Sequence, residues 1–89
     1  MSCQQAFNDG RDRCTQMQTN GELLESCLMQ PLAVAFDCLK KESISVLQEA
    51  ESKDFMIYTI GKDICLLKPG NLEACEASVK TRVMAKLNG

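Results

Sequence analysis

The side chains best equipped for chemistry in this sequence are six cysteines: Cys3, Cys14, Cys27, Cys38, Cys65 and Cys75. A thiol can oxidise to a cystine, ligate a soft metal or attack an electrophile, and spacing helps to separate these uses. Here the cysteines fall into three consecutive pairs with nine or ten residues between partners, and none sits in a CxxC. A tetracysteine zinc site usually takes two ligands from one tight turn, so the spacing predicts no metal. The even number leaves no thiol over to act as a reactive nucleophile. The chain also contains no histidine. Ser–His and Cys–His dyads are therefore impossible, and the usual general base near neutral pH is missing. The acidic pairs Glu49/Glu51 and Glu73/Glu76 read as solvated helix faces, and no glycine-rich phosphate loop or dinucleotide fingerprint occurs. The sequence thus predicts structural cystines, and neither catalysis nor a cofactor.

Size explains why cystines would be needed. With 89 residues the chain reads as a single domain over 1–89, and folding at this length buries roughly two thirds of the unfolded surface. An apolar core alone then leaves a thin margin, to which one disulfide closing a short loop adds about 3 kcal/mol. Such staples place the protein in an oxidising compartment. Net charge is −2, with ten basic and twelve acidic residues and no basic tract, so nucleic-acid binding is not expected. The longest uncharged stretch, Ser26 to Phe36, falls short of the ~18 residues needed to span a membrane and is interrupted by Gln30 and Pro31. Residues 1–20 hold no hydrophobic signal core. Two expectations follow: a mature secreted domain, which the position of Cys3 favours, or a protein that reaches an oxidising space without a cleaved signal.

The elements that must position these cysteines read as helical. Glu, Gln, Lys, Leu, Met and Ala dominate. A first helix is expected over Ser2–Gln18, with Ser2 as its cap and Cys3, Phe7, Gly10, Cys14 and Met17 on one face, although Asn8-Asp9-Gly10 is a turn-type tripeptide. Gly21 suits a left-handed position closing it. A second segment over Glu22–Glu42 should kink or break near Met29–Gln30, because Pro31 cannot donate its backbone hydrogen bond. Lys40–Asp54 reads as a polar connection with at most a short helix. A third helix is expected from Ser52 or Asp54 to Lys68, then a turn at Lys68-Pro69-Gly70-Asn71. A fourth, capped by Asn71, runs from Leu72 to about Leu87. The expected fold is all-α: a small disulfide-stapled bundle of three to five helices, four by this count.

Helical geometry also constrains the pairing. Eleven residues turn an α-helix to within ~20° of three full turns and advance it ~16 Å, so Cys3 and Cys14 share a face but cannot bond within one helix. The same holds for Cys27 and Cys38. Antiparallel helices would be joined by Cys14–Cys27 near the hinge and Cys3–Cys38 at the far end, with Cys65–Cys75 clamping the last corner. The competing arrangement bends each segment at its breaker and forms three local staples.

Two resemblances rest on these spacings. Cys3-x10-Cys14-x12-Cys27-x10-Cys38 resembles the twin CX9C or CX10C hairpins of small mitochondrial intermembrane-space proteins, over residues 3–38 only. That resemblance implies import without a cleaved leader, oxidation in that space and a structural or assembly role. Cys27-x10-Cys38 followed by Cys65 is similar to the middle of saposin-like domains, which implies a lipid-binding or membrane-active role.

The remaining candidates are apolar. Leu23, Met29, Phe36, Ile44 and Met84 flank the main stripes and are expected to be exposed, and Phe55 and Tyr58 are the aromatic anchors for a partner. The candidate interface is therefore Met29, Phe55, Tyr58 and Met84. The leading expectation is a secreted, non-enzymatic binding protein that presents a rigid surface to a receptor, channel or host protein in the manner of a toxin, hormone or effector. Lipid binding and the intermembrane-space role are the alternatives.

Overall fold

A computed structural model describes residues 2–68 and 70–88. Those residues form four α-helices and no strand: α1 (Cys3–Met17), α2 (Gly21–Lys41), α3 (Val46–Cys65) and α4 (Leu72–Asn88). Each helix starts at a polar side chain that accepts from an otherwise unpaired backbone N–H. The Ser2 hydroxyl accepts from Gln5 N–H, Asn20 Oδ1 from the N–H groups of Glu22 and Leu23, the Ser45 hydroxyl from Gln48 N–H, and Asn71 Oδ1 from Ala74 N–H.

Three expectations are corrected here. Gly21 does not close α1 in a left-handed conformation. It is the first residue of α2, capped by Asn20, and the only positive φ among the described glycines is that of Gly70. The third helix begins six to eight residues earlier than the polar composition of Lys40–Asp54 suggested. Its start at Ser45-Val46-Leu47-Gln48 has the S-x-x-Q pattern of a capping box, and Glu49–Lys53 adds an i,i+4 ion pair of 2.8 Å in its first turns. Finally, α2 runs unbroken through Pro31.

The continuity of α2 has a local cause. Pro31 lies against Gly10 of α1 so closely that a Cβ added to Gly10 would sit 2.4 Å from the Pro31 Cβ. Pro31 also lies between Cys27 and Cys38, both bonded to α1. The hydrogen bond lost at proline is offset by this close packing and by anchors on either side. The same contact explains the turn-type Asn8-Asp9-Gly10 inside α1: glycine is the residue whose absent side chain lets the two backbones approach.

The helices pack in chain order, α1 on α2, α2 on α3 and α3 on α4. Cys3–Cys38 and Cys14–Cys27 join α1 to α2 with Cα–Cα distances of 5.6 and 5.8 Å, and Cys65–Cys75 clamps the α3–α4 corner at 5.9 Å. This is the crossed antiparallel pairing plus the local link. The three-local-staple alternative is overturned because α1 and α2 are uninterrupted helices, along which the paired cysteines lie too far apart to bond. Two stapled hairpins therefore dock side by side through α2 and α3. Leu24, Leu28, Leu32, Ala35 and Leu39 of α2 meet Met56, Ile57, Ile60 and Ile64 of α3; Phe7 of α1 and Val79 and Val83 of α4 complete the core. Arg11 of α1 pairs with Asp63 of α3 through two guanidinium nitrogens, the Nη2–Oδ1 bond being 2.9 Å. The turn residue Pro69, with Met1 and Gly89, lies outside the described residues.

Two measurements test this account. In the loop-entropy relation, removing Cys3–Cys38 (sequence separation 35) costs about 4 kcal/mol, and removing Cys65–Cys75 (separation 10) costs about 3 kcal/mol. Urea unfolding of the two paired-serine variants should rank them in that order. Gly10→Ala should destabilise by about 1–2 kcal/mol: it improves helix propensity by about 1 kcal/mol, but it overpacks the Pro31 contact at a cost of about 2–3 kcal/mol. A variant as stable as the parent would mean that α1 can withdraw from Pro31 freely.

Candidate functional site

The site is built by the outer face of α3 and its groove with α4. Because Met56, Ile57, Ile60 and Ile64 turn inward, helical periodicity leaves Leu47, Phe55, Tyr58 and Leu66 facing out, with exposures of 69, 57, 52 and 72%. Phe55 and Tyr58, three residues apart, share that side of the helix. Tyr58 also borders a cleft of about 290 Å³ between α3 and α4, where Ile57, Gly61 and Ala77 supply apolar or small surface. Asp54, Glu73, Glu76 and Lys80 complete its lining, three carboxylates to one ammonium. Lys62 Nζ lies 5.4 Å from the Tyr58 ring centroid, a cation–π distance that steadies the ring at the cleft edge. An apolar floor with an acidic rim suits a partner that offers apolar side chains flanked by positive charge.

The structure divides the four expected interface residues. Phe55 and Tyr58 are brought together on this face. Met29 is not exposed as expected: it is half-buried and packs against the core from α2. Phe36 is likewise half-buried, because the flanks of an α2 packed on both sides are themselves covered, and Ile44, in the connection between α2 and α3, is half-buried against the core as well. Met84 is 38% exposed but lines a separate recess with Phe36, Lys53 and Leu87. Leu23 is exposed at the start of α2. Sequence reasoning missed Leu47, Leu66, Gly61 and Ala77. The outward pair was findable from the period of α3 once its start at Val46 is known, whereas the cleft residues of α4 depend on how α4 crosses α3.

Glu25 is the one buried charged side chain among the described residues. Arg82 Nη2 donates to its Oε1 at 2.7 Å and Lys86 Nζ to its Oε2 at 2.8 Å, and Arg82 Nη1 also donates to the Ser78 hydroxyl at 2.6 Å. The Arg82 hydrogen bonds hold the Glu25 carboxyl below its ordinary range; burial opposes them, and Lys86 adds to the lowering. A carboxylate kept ionised in this way ties α2 to α4 and is poorly suited to general acid work. Cys3, Cys38 and Glu42 form the only cluster of three metal-type donors among the described residues, and both sulfurs belong to a cystine.

No protein family, curated protein or solved structure matches this chain. No helix among the described residues is long and apolar enough to cross a membrane. Three disulfides in a domain this small are compatible with an extracellular or an intermembrane-space location.

The Glu25 network carries a pH dependence with a definite sign. A carboxyl whose pKa is lowered on folding contributes stability that is fully present above the unfolded value, about 4.5, and is lost as pH falls through the lowered one. Thermal melts between about pH 6 and pH 2 should therefore show stability declining below about pH 4.5. Glu25→Gln should flatten that decline while lowering stability at neutral pH, and an unchanged pH profile would remove Glu25 as its source.

Proposed function

We propose that this chain is a non-enzymatic binding module that works in an oxidising compartment and presents the α3–α4 face to a protein partner. The observation that carries the reading is the half-exposed pair Phe55 and Tyr58 beside an acid-rimmed apolar cleft, on a scaffold held by three cystines. Aromatic side chains bordering a pocket are the residues most often found at energetic centres of interfaces. A stapled scaffold holds them in position without a large core, which reduces the ordering cost of binding. The compartment we favour is extracellular, with a receptor, channel or host protein as the class of target. The absence of histidine supports the non-enzymatic reading.

One observation favours a second reading. Cys3–Cys38 and Cys14–Cys27 make α1 and α2 a doubly bridged antiparallel helical hairpin, which deepens the resemblance to the twin CX10C proteins of the mitochondrial intermembrane space. In that reading the same α3–α4 face would serve assembly with a neighbouring protein. The lipid-binding reading has less support: Cys27 and Cys38, which carried the saposin-like resemblance, each bond to α1, and Leu28, Leu32, Met56 and Ile60 are spent in the packed core.

A photo-crosslinking residue placed at Tyr58, compared with one at the exposed Lys41 on α2, tests the reading in native cells or secretions. A discrete protein adduct from position 58 alone is expected. With the purified partner, Tyr58→Ala should weaken binding by roughly tenfold or more while Val34→Ala on α2 leaves it unchanged. Equal labelling from both positions, or equal affinities, would refute this face as the interface. Fractionation of the cells that make the protein separates the extracellular from the mitochondrial reading.

A further inference from the structure

A carboxylate lies against a disulfide in this fold without a hydrogen bond to explain it. Glu42 Oε1 is 3.2 Å from Cys3 Sγ, yet a cystine sulfur carries no proton to donate. The Glu42 carboxylate has no ion pair among the described residues. Glu42 lies four residues after Cys38 at the carboxyl end of α2 and Cys3 begins α1, so three donors from two helices converge within 4.8 Å of one another. Glu42 is the cap residue just past the end of α2, with extended backbone, and its N–H donates to the Cys38 carbonyl at 3.2 Å, which keeps it over Cys38.

From this juxtaposition we infer that Cys3, Cys38 and Glu42 form a zinc site when the Cys3–Cys38 bond is reduced. Zinc takes sulfur at about 2.3 Å and carboxylate oxygen at about 2.1 Å, so a tetrahedral site separates sulfur from oxygen by about 3.6 Å and sulfur from sulfur by about 3.8 Å. The existing Glu42–Cys3 contact is within a few tenths of an ångström of the first requirement. The second needs only side-chain rotation once the S–S bond is gone, because the two Cα atoms, 5.6 Å apart, already suit ligands of a single ion. The donor set of two thiolates and one carboxylate is one that zinc accepts, with a fourth position left for water or another ligand. Cys3 and Glu42 border a recess of about 370 Å³, also lined by Gln48, Glu51 and Ser52.

The redox step balances with a dithiol as reductant. Two electrons and two protons pass from the dithiol to the Cys3–Cys38 bond; the dithiol leaves as its own disulfide and two thiols remain on the protein. Zinc then displaces both thiol protons to solvent and forms two Zn–S bonds, with Glu42 supplying a Zn–O bond. Reoxidation of the cysteines expels the ion, so metal occupancy reports the thiol state of this one rung. The Cys14–Cys27 rung and the Pro31–Gly10 contact hold α1 on α2 independently of it.

The test is anaerobic titration of the full chain with Zn²⁺ against a chromophoric chelator, repeated with Co²⁺ to read thiolate-to-metal charge transfer. The oxidised protein should take up neither ion, and protein in which limited phosphine treatment has opened Cys3–Cys38 alone, as peptide mapping shows, should give charge transfer at the first equivalent. The Cys65→Ser/Cys75→Ser variant treated in the same way should keep that first equivalent, and Cys3→Ser/Cys38→Ser should lose it. Glu42→Gln keeps every cysteine and folds through the same oxidised state; once reduced, it should bind zinc at least tenfold more weakly, since even supporting residues around zinc contribute about 10- to 100-fold. Unchanged affinity in Glu42→Gln, retention of the first equivalent by Cys3→Ser/Cys38→Ser, or uptake by the oxidised protein would each overturn the assignment.

Discussion

The antiparallel clamping of α1 onto α2 is the constraint on which the rest of the structure depends. Two cystines bracket the point where Gly10 and Pro31 meet, and together these features make one rigid unit of two helices that each carry a helix-weakening residue. Neither residue would be expected mid-helix alone. Facing each other, the missing side chain of one accommodates the ring of the other. The cystines prevent the two backbones from separating, so the cost of the proline does not become a break.

The second hairpin depends on that unit for its core. Val79 and Val83 are the fully buried anchors of α4, and their partners include α3 residues that are themselves covered by α2. The bidentate grip of Arg82 on Glu25, with Lys86 beside it, then fixes α4 to α2 by charge where apolar contact is sparse. Buried ion pairs are modest stabilisers but costly to leave half-paired, so this network selects one docking of the hairpins more than it strengthens it. The consequence reaches the surface: α3 is covered on the sides facing α2 and α4, and its outer face with Phe55 and Tyr58 remains open.

Much of this was legible from residue order. The helical alphabet, the caps at Ser2 and Asn71, and the shared faces of Cys3/Cys14 and Cys27/Cys38 led to a count of four helices and to the pairing that occurs as one of two candidates. Ser45 and Gln48 marked the start of α3, but the polar residues around them masked that signal. Gly21 was misread because Asn-Gly suits the end of one helix as well as the start of the next, and the choice lay in which neighbour the Asn20 side chain served. Ile44 packs against the core from the connection between α2 and α3, and Met29 and Phe36 were misplaced for a different reason. A helix wheel tells which side is apolar, but α2 is packed by α1 on one side and α3 on another, so residues flanking the stripe are covered as well.

By itself, then, the sequence determined the class of fold and narrowed the crosslinks to two arrangements, through local periodicity and the fixed reach of a disulfide; the continuity of α1 and α2 chose between them. It also determined that imidazole chemistry is absent. Which surfaces stay open was decided by the tertiary structure, as were the meeting of Gly10 with Pro31, the burial of Glu25 between Arg82 and Lys86, and the approach of Glu42 to Cys3. These depend on how one helix crosses another, and crossing geometry is set by the volumes of side chains far apart in the chain.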